Sequence, residues 1–275
     1  MIKRRHTRAV RVGNIVIGGE SPISIQEMTC TQTNDIKKTV AQIKSLERAG
    51  CELVRVAVPD RKSAKALKEI KSYINIPLIA DIHFDYRLAI IAAESGIDKL
   101  RINPGNIGGR NKVAEVVKVA KKYGIPIRIG VNSGSIQKEL YEKYGGATPE
   151  AMVESALSEI KLLEEFGFKD IVISLKSSDV NTTVKAYQLL AEKVDYPFHI
   201  GITEAGYGTP GLIKSAVGIG ILLFYGLGDT IRVSLTSRDP VFSVKVARSI
   251  LTELELREFS PFPFMGEKKK NSSSS

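Results

Sequence analysis

Short runs rich in Val, Ile and Leu alternate along the chain with longer stretches of helical period, at a repeat of about 30 residues that marks βαβ units and a parallel sheet. Strands are predicted at 23–28, 52–58, 77–83, 99–103, 126–132, 170–176, 197–204 and 230–235. Helices are predicted at 35–49, 62–74, 86–95, 111–123, 148–166, 180–194, 211–226 and 241–254. The punctuation agrees, with Gly50, Gly96, Gly124 and Gly167 where helices should close and Asp35, Thr148 and Asp179 where they should open. Eight strands, each followed by a helix, predict an α/β fold, the (β/α)8 TIM barrel, over residues 1–257. The stretch 10–19, with Asn14 between two valine-containing halves, is expected to form a short N-terminal hairpin that plugs the barrel bottom. The pattern stops near Leu256, and residues 258–275 are expected to be a linker or disordered tail.

Strand side chains alternate faces, so residues of like parity share one environment. One parity is apolar and suits the outer face beneath the helices: Val54 and Val56, Leu100 and Ile102, Ile127, Ile129 and Val131, Ile173 and Leu175, Ile231, Val233 and Leu235. The other parity carries Arg55, Asp81, His83, Arg101, Asn103, Arg128, Asn132, Ser174, Lys176, Arg232 and Ser234. These groups should face the lumen near the C-terminal strand ends, where the active sites of such barrels form. Buried charge is costly unless it is paired, so the groups need each other or an anionic ligand. Only Asp81 and Glu204 are expected to offset the five inward cations Arg55, Arg101, Arg128, Lys176 and Arg232. A diphosphate suits that surplus, because Arg binds its oxygens as a fork and Lys adds a point charge. A salt-bridged barrel interior is the other reading for any single Arg. Two glycine-rich loops, Asn103-Pro104-Gly105-Asn106-Ile107-Gly108 and Asn132-Ser133-Gly134-Ser135, can present backbone N–H groups to an anion, although small turn residues occur in any loop.

Candidate proton-transfer groups are His83, which shares a strand face with Asp81, and Glu204, at the end of the seventh predicted strand. A hydrogen-bonded lumen residue and an ion-paired carboxylate are the alternatives for His83 and Glu204. His6 is expected at the surface and His199 deep in the lumen, neither with a role.

Charge and composition narrow the choice of partner. The net charge of +10 favours anions, but the lysines are spread along helical faces without interleaved aromatic residues, so no nucleic-acid partner is expected. No apolar run approaches the length of a membrane span, no signal peptide is evident, and a cytoplasmic protein without a membrane partner is expected. Cys30 and Cys51 lack CxxC spacing, and no metal site is indicated.

The ordered strings Arg55-Val56-Ala57-Val58, Asp81-Ile82-His83-Phe84, Arg101-Ile102-Asn103-Pro104-Gly105-Asn106, Arg128-Ile129-Gly130-Val131-Asn132, Lys176-Ser177-Ser178-Asp179, Gly201-Ile202-Thr203-Glu204-Ala205-Gly206 and Asp229-Thr230-Ile231-Arg232-Val233-Ser234 closely resemble the barrel domain of the bacterial 4-hydroxy-3-methylbut-2-enyl diphosphate synthase family. The resemblance covers residues 2 to 257. It implies binding of 2-C-methyl-D-erythritol 2,4-cyclodiphosphate, with reductive ring opening and loss of water, in non-mevalonate isoprenoid biosynthesis. It further implies that Arg55, Arg101, Arg128, Lys176, Arg232 and Ser234 surround the diphosphate, that Asn103 and Asn132 support it, and that Glu204 gives a proton to the departing hydroxyl.

Two departures accompany the resemblance. The family carries a 4Fe–4S cluster on three cysteines and a glutamate in a second domain, whereas no cysteine follows Cys51 here, and Phe259-Ser260-Pro261-Phe262-Pro263-Phe264 stands where a Cys-Pro-x-Cys-Gly string is usual. The cluster ligands are therefore absent from this chain, which is expected to bind without turning over unless a homodimer or another partner supplies the cluster domain and ferredoxin or flavodoxin the electrons. Glu27 stands where the family usually has Ser and adds a carboxylate near the mouth. A dihydropteroate synthase-like pterin-binding barrel and a non-catalytic anion-binding module are the alternative readings.

Overall fold

The computed structural model describes residues 2–235 and 239–257. After the hairpin of β1 (Val10–Val12) and β2 (Ile15–Ile17), the chain alternates strand and helix as the periodicity predicts. The first half is β3 (Ser24–Met28), α1 (Ile36–Arg48), β4 (Leu53–Ala57), α2 (Arg61–Ser72), β5 (Leu78–Asp81), α3 (Tyr86–Glu94), β6 (Lys99–Ile102) and α4 (Arg110–Tyr123). The second half is β7 (Ile127–Asn132), α5 (Lys138–Tyr144), α6 (Pro149–Glu165), β8 (Ile171–Lys176), α7 (Val180–Ala191), β9 (His199–Ile200), α8 (Gly208–Phe224), β10 (Thr230–Ile231) and α9 (Pro240–Glu253). The side chains of Asp35, Asp60, Asp85, Thr148, Asp179 and Asp239 accept hydrogen bonds from the first-turn N–H groups of their helices.

The eight parallel strands run in the order β8-β7-β6-β5-β4-β3-β10-β9. An Ile173–Phe198 bridge joins the two ends, so the sheet closes on itself as a barrel. The apolar parity of the strands packs under the helices, where Val54, Val56, Leu100, Ile102, Ile129, Ile173 and Val233 belong to one continuous core. A second, smaller core fills the lower lumen, where Val10, Val12 and Ile17 of the hairpin meet Leu53, Ile79 and Val172. The hairpin therefore closes the barrel bottom, as expected from its sequence.

Three predicted features differ. The strand predicted at 197–204 shrinks to His199–Ile200 and that at 230–235 to Thr230–Ile231, because the chain bends away soon after each. Arg232 N–H still donates to the Ile200 carbonyl at 3.1 Å, and Thr203 N–H to the Ser177 carbonyl at 3.2 Å, so the upper rim stays tied without a regular ladder. The segment between β7 and α6, predicted as loop, holds a 3-10 turn at Ser133–Ser135 and then α5, which ends at Gly145 with φ 68°. The tail expected at 258–275 lies outside the described residues.

Candidate functional site

The upper lumen opens into a cavity of about 270 Å³ lined by Met28, Arg55, Asp81, His83, Arg101, Arg128, Asn132, Ser174, Lys176, Thr203, Arg232 and Ser234. The polar parity of the strands thus converges on one space, as the alternation requires. The β-register sets the layers, since Arg101 lies opposite both Asp81 on β5 and Arg128 on β7, while Asn132 lies opposite Lys176 on β8.

Asp81 organises one side. Its Oδ1 accepts from Arg101 Nη1 at 3.0 Å, and its Oδ2 lies 3.6 Å from Arg55 Nε and 3.5 Å from His83 Nε2. Burial alone would raise this carboxyl, but Arg55, then His83 and Arg101, outweigh it and hold the group well below the usual carboxylate range. Asp81 is accordingly an anion that orients cations rather than a proton donor. His83 stands higher on the rim, with 55% of its side chain exposed.

The opposite side is organised by Glu27, not by Glu204. Arg232 Nε donates to Glu27 Oε1 at 2.8 Å, and Arg232 Nη1 donates to Ser234 Oγ at 2.9 Å. Glu204, expected to be a carboxylate offsetting the inward cations, is instead exposed in the turn beyond β9 and does not line the cavity. Its φ of 48° is left-handed, and that turn directs the side chain away from the strand ladder.

Arg128 and Lys176 have no carboxylate within ion-pair distance among the described residues. Arg128 is 2% exposed, and its Nε and Nη1 have no hydrogen-bond partner. Burial, then the neighbouring guanidinium groups, pushes Arg128 and Lys176 well below their ordinary pKa values. Burial likewise lowers Arg55 to about 10. Five lumen cations thus face two buried carboxylates, and an anion placed among them would relieve the remaining repulsion.

Asn103 lies just outside the cavity lining, where its Oδ1 accepts from Gly105 N–H at 3.0 Å and its Nδ2 reaches Ser135 Oγ at 3.5 Å. It links the two glycine-rich loops and does not itself face the space. Ser135 Oγ in turn accepts from Asn132 N–H at 3.1 Å and donates to the Asn132 carbonyl at 3.0 Å. Parity reasoning omitted Met28, Thr203 and Lys99, although each shares the inward parity of its strand. Lys99 is fully buried one layer below Arg101, its Nζ without a partner, and His199 is fully buried with both ring nitrogens unpartnered. His6 is exposed.

The described residues do not fit an iron–sulfur cluster. Cys30 is exposed and Cys51 is buried, with its thiol donating to the Leu53 carbonyl, and no group of three or more His, Cys, Asp or Glu side chains among the described residues could hold a metal ion. No described helix is long and apolar enough to cross a membrane.

A family model described as the GcpE TIM-barrel domain matches residues 7–248. A 4-hydroxy-3-methylbut-2-en-1-yl diphosphate synthase (flavodoxin) from Caldanaerobacter subterraneus subsp. tengcongensis is 62% identical over 257 residues, which cover 93% of this chain and 72% of that protein. The protein of the same name from Geobacillus thermodenitrificans is 60% identical over 251 residues, covering 91% of this chain and 67% of its own length. Among solved structures, dihydropteroate synthase from Yersinia pestis superposes with a TM-score of 0.60 at 12% identity, over 90% of this chain and 98% of that one. The N-acetylneuraminic acid synthetase from Leptospira borgpetersenii serovar Hardjo-bovis superposes with a TM-score of 0.64 at 12% identity, over 95% of each chain. These structural likenesses concern the fold alone.

Proposed function

The chain belongs to the GcpE family of 4-hydroxy-3-methylbut-2-en-1-yl diphosphate synthases, and from that membership we propose that its barrel mouth binds 2-C-methyl-D-erythritol 2,4-cyclodiphosphate by the diphosphate. The observation that carries this reading is the pair Arg128 and Lys176, buried cations without carboxylate partners, beside Arg55, Arg101 and Arg232. Guanidinium groups converging from several strands suit a diphosphate, whose oxygens accept forked hydrogen bonds. Asn132 and Ser234 add polar contacts, and Asn103 holds the loop that frames them. A pterin, which lacks such charge, gains nothing from this surplus.

In this reading the barrel's own residues bind and orient the substrate for reductive ring opening and dehydration. Arg55 and Arg101, fixed by Asp81, grip the diphosphate, and His83, at the rim of the cavity, is the group placed to move a proton to the departing hydroxyl. The electrons come from flavodoxin, the donor in the relatives' names, and a partner, either a second subunit of a homodimer or another protein, brings the 4Fe–4S ligands.

Thermal unfolding tests the reading. The cyclic diphosphate is expected to stabilise the chain by about 3 kcal/mol at a concentration about a hundred times its Kd, and unphosphorylated methylerythritol to do nothing. Equal effects of the two compounds, or none at millimolar diphosphate, would contradict it.

A further inference from the structure

Glu159 lies outside the mouth, and no role above uses it. It occupies the face of α6 that packs on the barrel, beside Ala156, Ile160 and Leu163, and is 3% exposed. One carboxylate oxygen, Oε2, has no hydrogen-bond partner. The other approaches the back of the turn after β6, where a Cβ on Gly105 would stand 3.6 Å from Oε1. The Gly105 N–H donates to Asn103 Oδ1 at 3.0 Å.

The groups around Glu159 come from three further segments. Arg101 of β6 is the charged one, Asn103 and Gly105 belong to the turn, and Gln137, ahead of α5, places its Nε2 3.5 Å from the same Cβ position. The Oε1 of Gln137 is itself buried and unpartnered. Burial raises the Glu159 carboxyl to about 8, against the opposing pull of Arg101 and the Gly105 N–H.

We propose that Glu159 is a positioning residue for the anion site: its carboxyl group braces the Asn103–Asn106 turn from behind, next to the end of the strand that carries Arg101, so its charge sets how much of Arg101 remains for the ligand. The role rests on the diphosphate reading above. Uncharged, Glu159 holds the turn and leaves Arg101 with Asp81 as its carboxylate neighbour. Ionised, it adds a second negative charge that competes with the bound anion through a poorly screened path.

Calorimetric titration with inorganic pyrophosphate, on the full chain and on E159Q, tests this from about pH 6.5 to about pH 9, on either side of the Glu159 transition. The two proteins should bind alike at the acidic end, and wild type should be weaker than E159Q by about fivefold at the alkaline end. Any other group that titrates in this range does so in both proteins, so the difference between the curves isolates Glu159. Parallel curves, or an E159Q that binds more weakly by the same factor at every pH, would overturn the proposal. If E159Q does not fold, E159M carries the same comparison. If wild type binds no pyrophosphate at any pH, the anion site fails and this role falls with it.

Discussion

Arg101 lies across Gly130: a Cβ built on that glycine would stand 2.7 Å from the guanidinium Nε and 2.9 Å from Nη2. Gly130 faces the lumen on β7 between Arg128 and Asn132, and the absence of a side chain there is the room in which Arg101 keeps its bond to Asp81. Gly130→Ala should push the guanidinium out of place and weaken pyrophosphate binding by about tenfold or more, roughly the loss of one charged contact. Calorimetry gives the affinity, and circular dichroism shows whether the barrel persists. An unchanged Kd in a folded variant would show that Arg101 does not hold the anion.

Arg128 opposes stability to binding. A buried cation without a partner costs free energy that a well-packed apolar residue does not, so Arg128→Met should raise the stability of the ligand-free chain by about 1–3 kcal/mol. The same variant should lose most of the thermal shift produced by the cyclic diphosphate. A destabilised variant, or one that keeps the full shift, would contradict the assignment.

Glu27 neutralises part of Arg232. Replacing it by Gln keeps the shape and removes the competing charge, so Glu27→Gln should tighten pyrophosphate binding about threefold to tenfold at neutral pH. Weaker binding would mean that Glu27 chiefly fixes the geometry of Arg232.

Glu159 also predicts a pH dependence of folding. Its carboxyl is raised from 4.5 to about 8, so it keeps its proton in the folded chain after the unfolded chain has lost its own. Its contribution is complete below pH 4.5 and is lost progressively as pH rises to about 8. Denaturation midpoints should therefore rise in E159Q relative to wild type across that window and then hold a constant gap. A gap that does not vary with pH would contradict the raised value.

The closed sheet and its polar upper lumen were readable because they obey local rules. Strand parity placed Arg55, Asp81, Arg101, Arg128, Lys176 and Arg232 on one face without knowledge of any contact. Residues whose roles depend on tertiary neighbours were not readable in this way. Glu27 meets Arg232 across a separation of 205 residues, and nothing local to either position announces the pair. Glu204 was placed at the mouth as the last residue of a predicted strand that in fact ends at Ile200, and its left-handed backbone redirects it. Asn103 had the right parity but turned its side chain to Gly105 and Ser135, satisfying the loop first. The Gly145-Gly146 pair was a usable signal for the end of α5 that the strand–helix count passed over.

With Val10, Val12 and Ile17 pressed against Leu53, Ile79 and Val172, the described residues make the barrel a vessel closed at its base and entered from the mouth. Incoming metabolite, outgoing product and displaced water must all use the same passage, so a new molecule is admitted only after the previous one has left. Whatever seats over that rim controls every exchange at once, and a small anion lodged among the guanidinium groups should act as a purely competitive stopper.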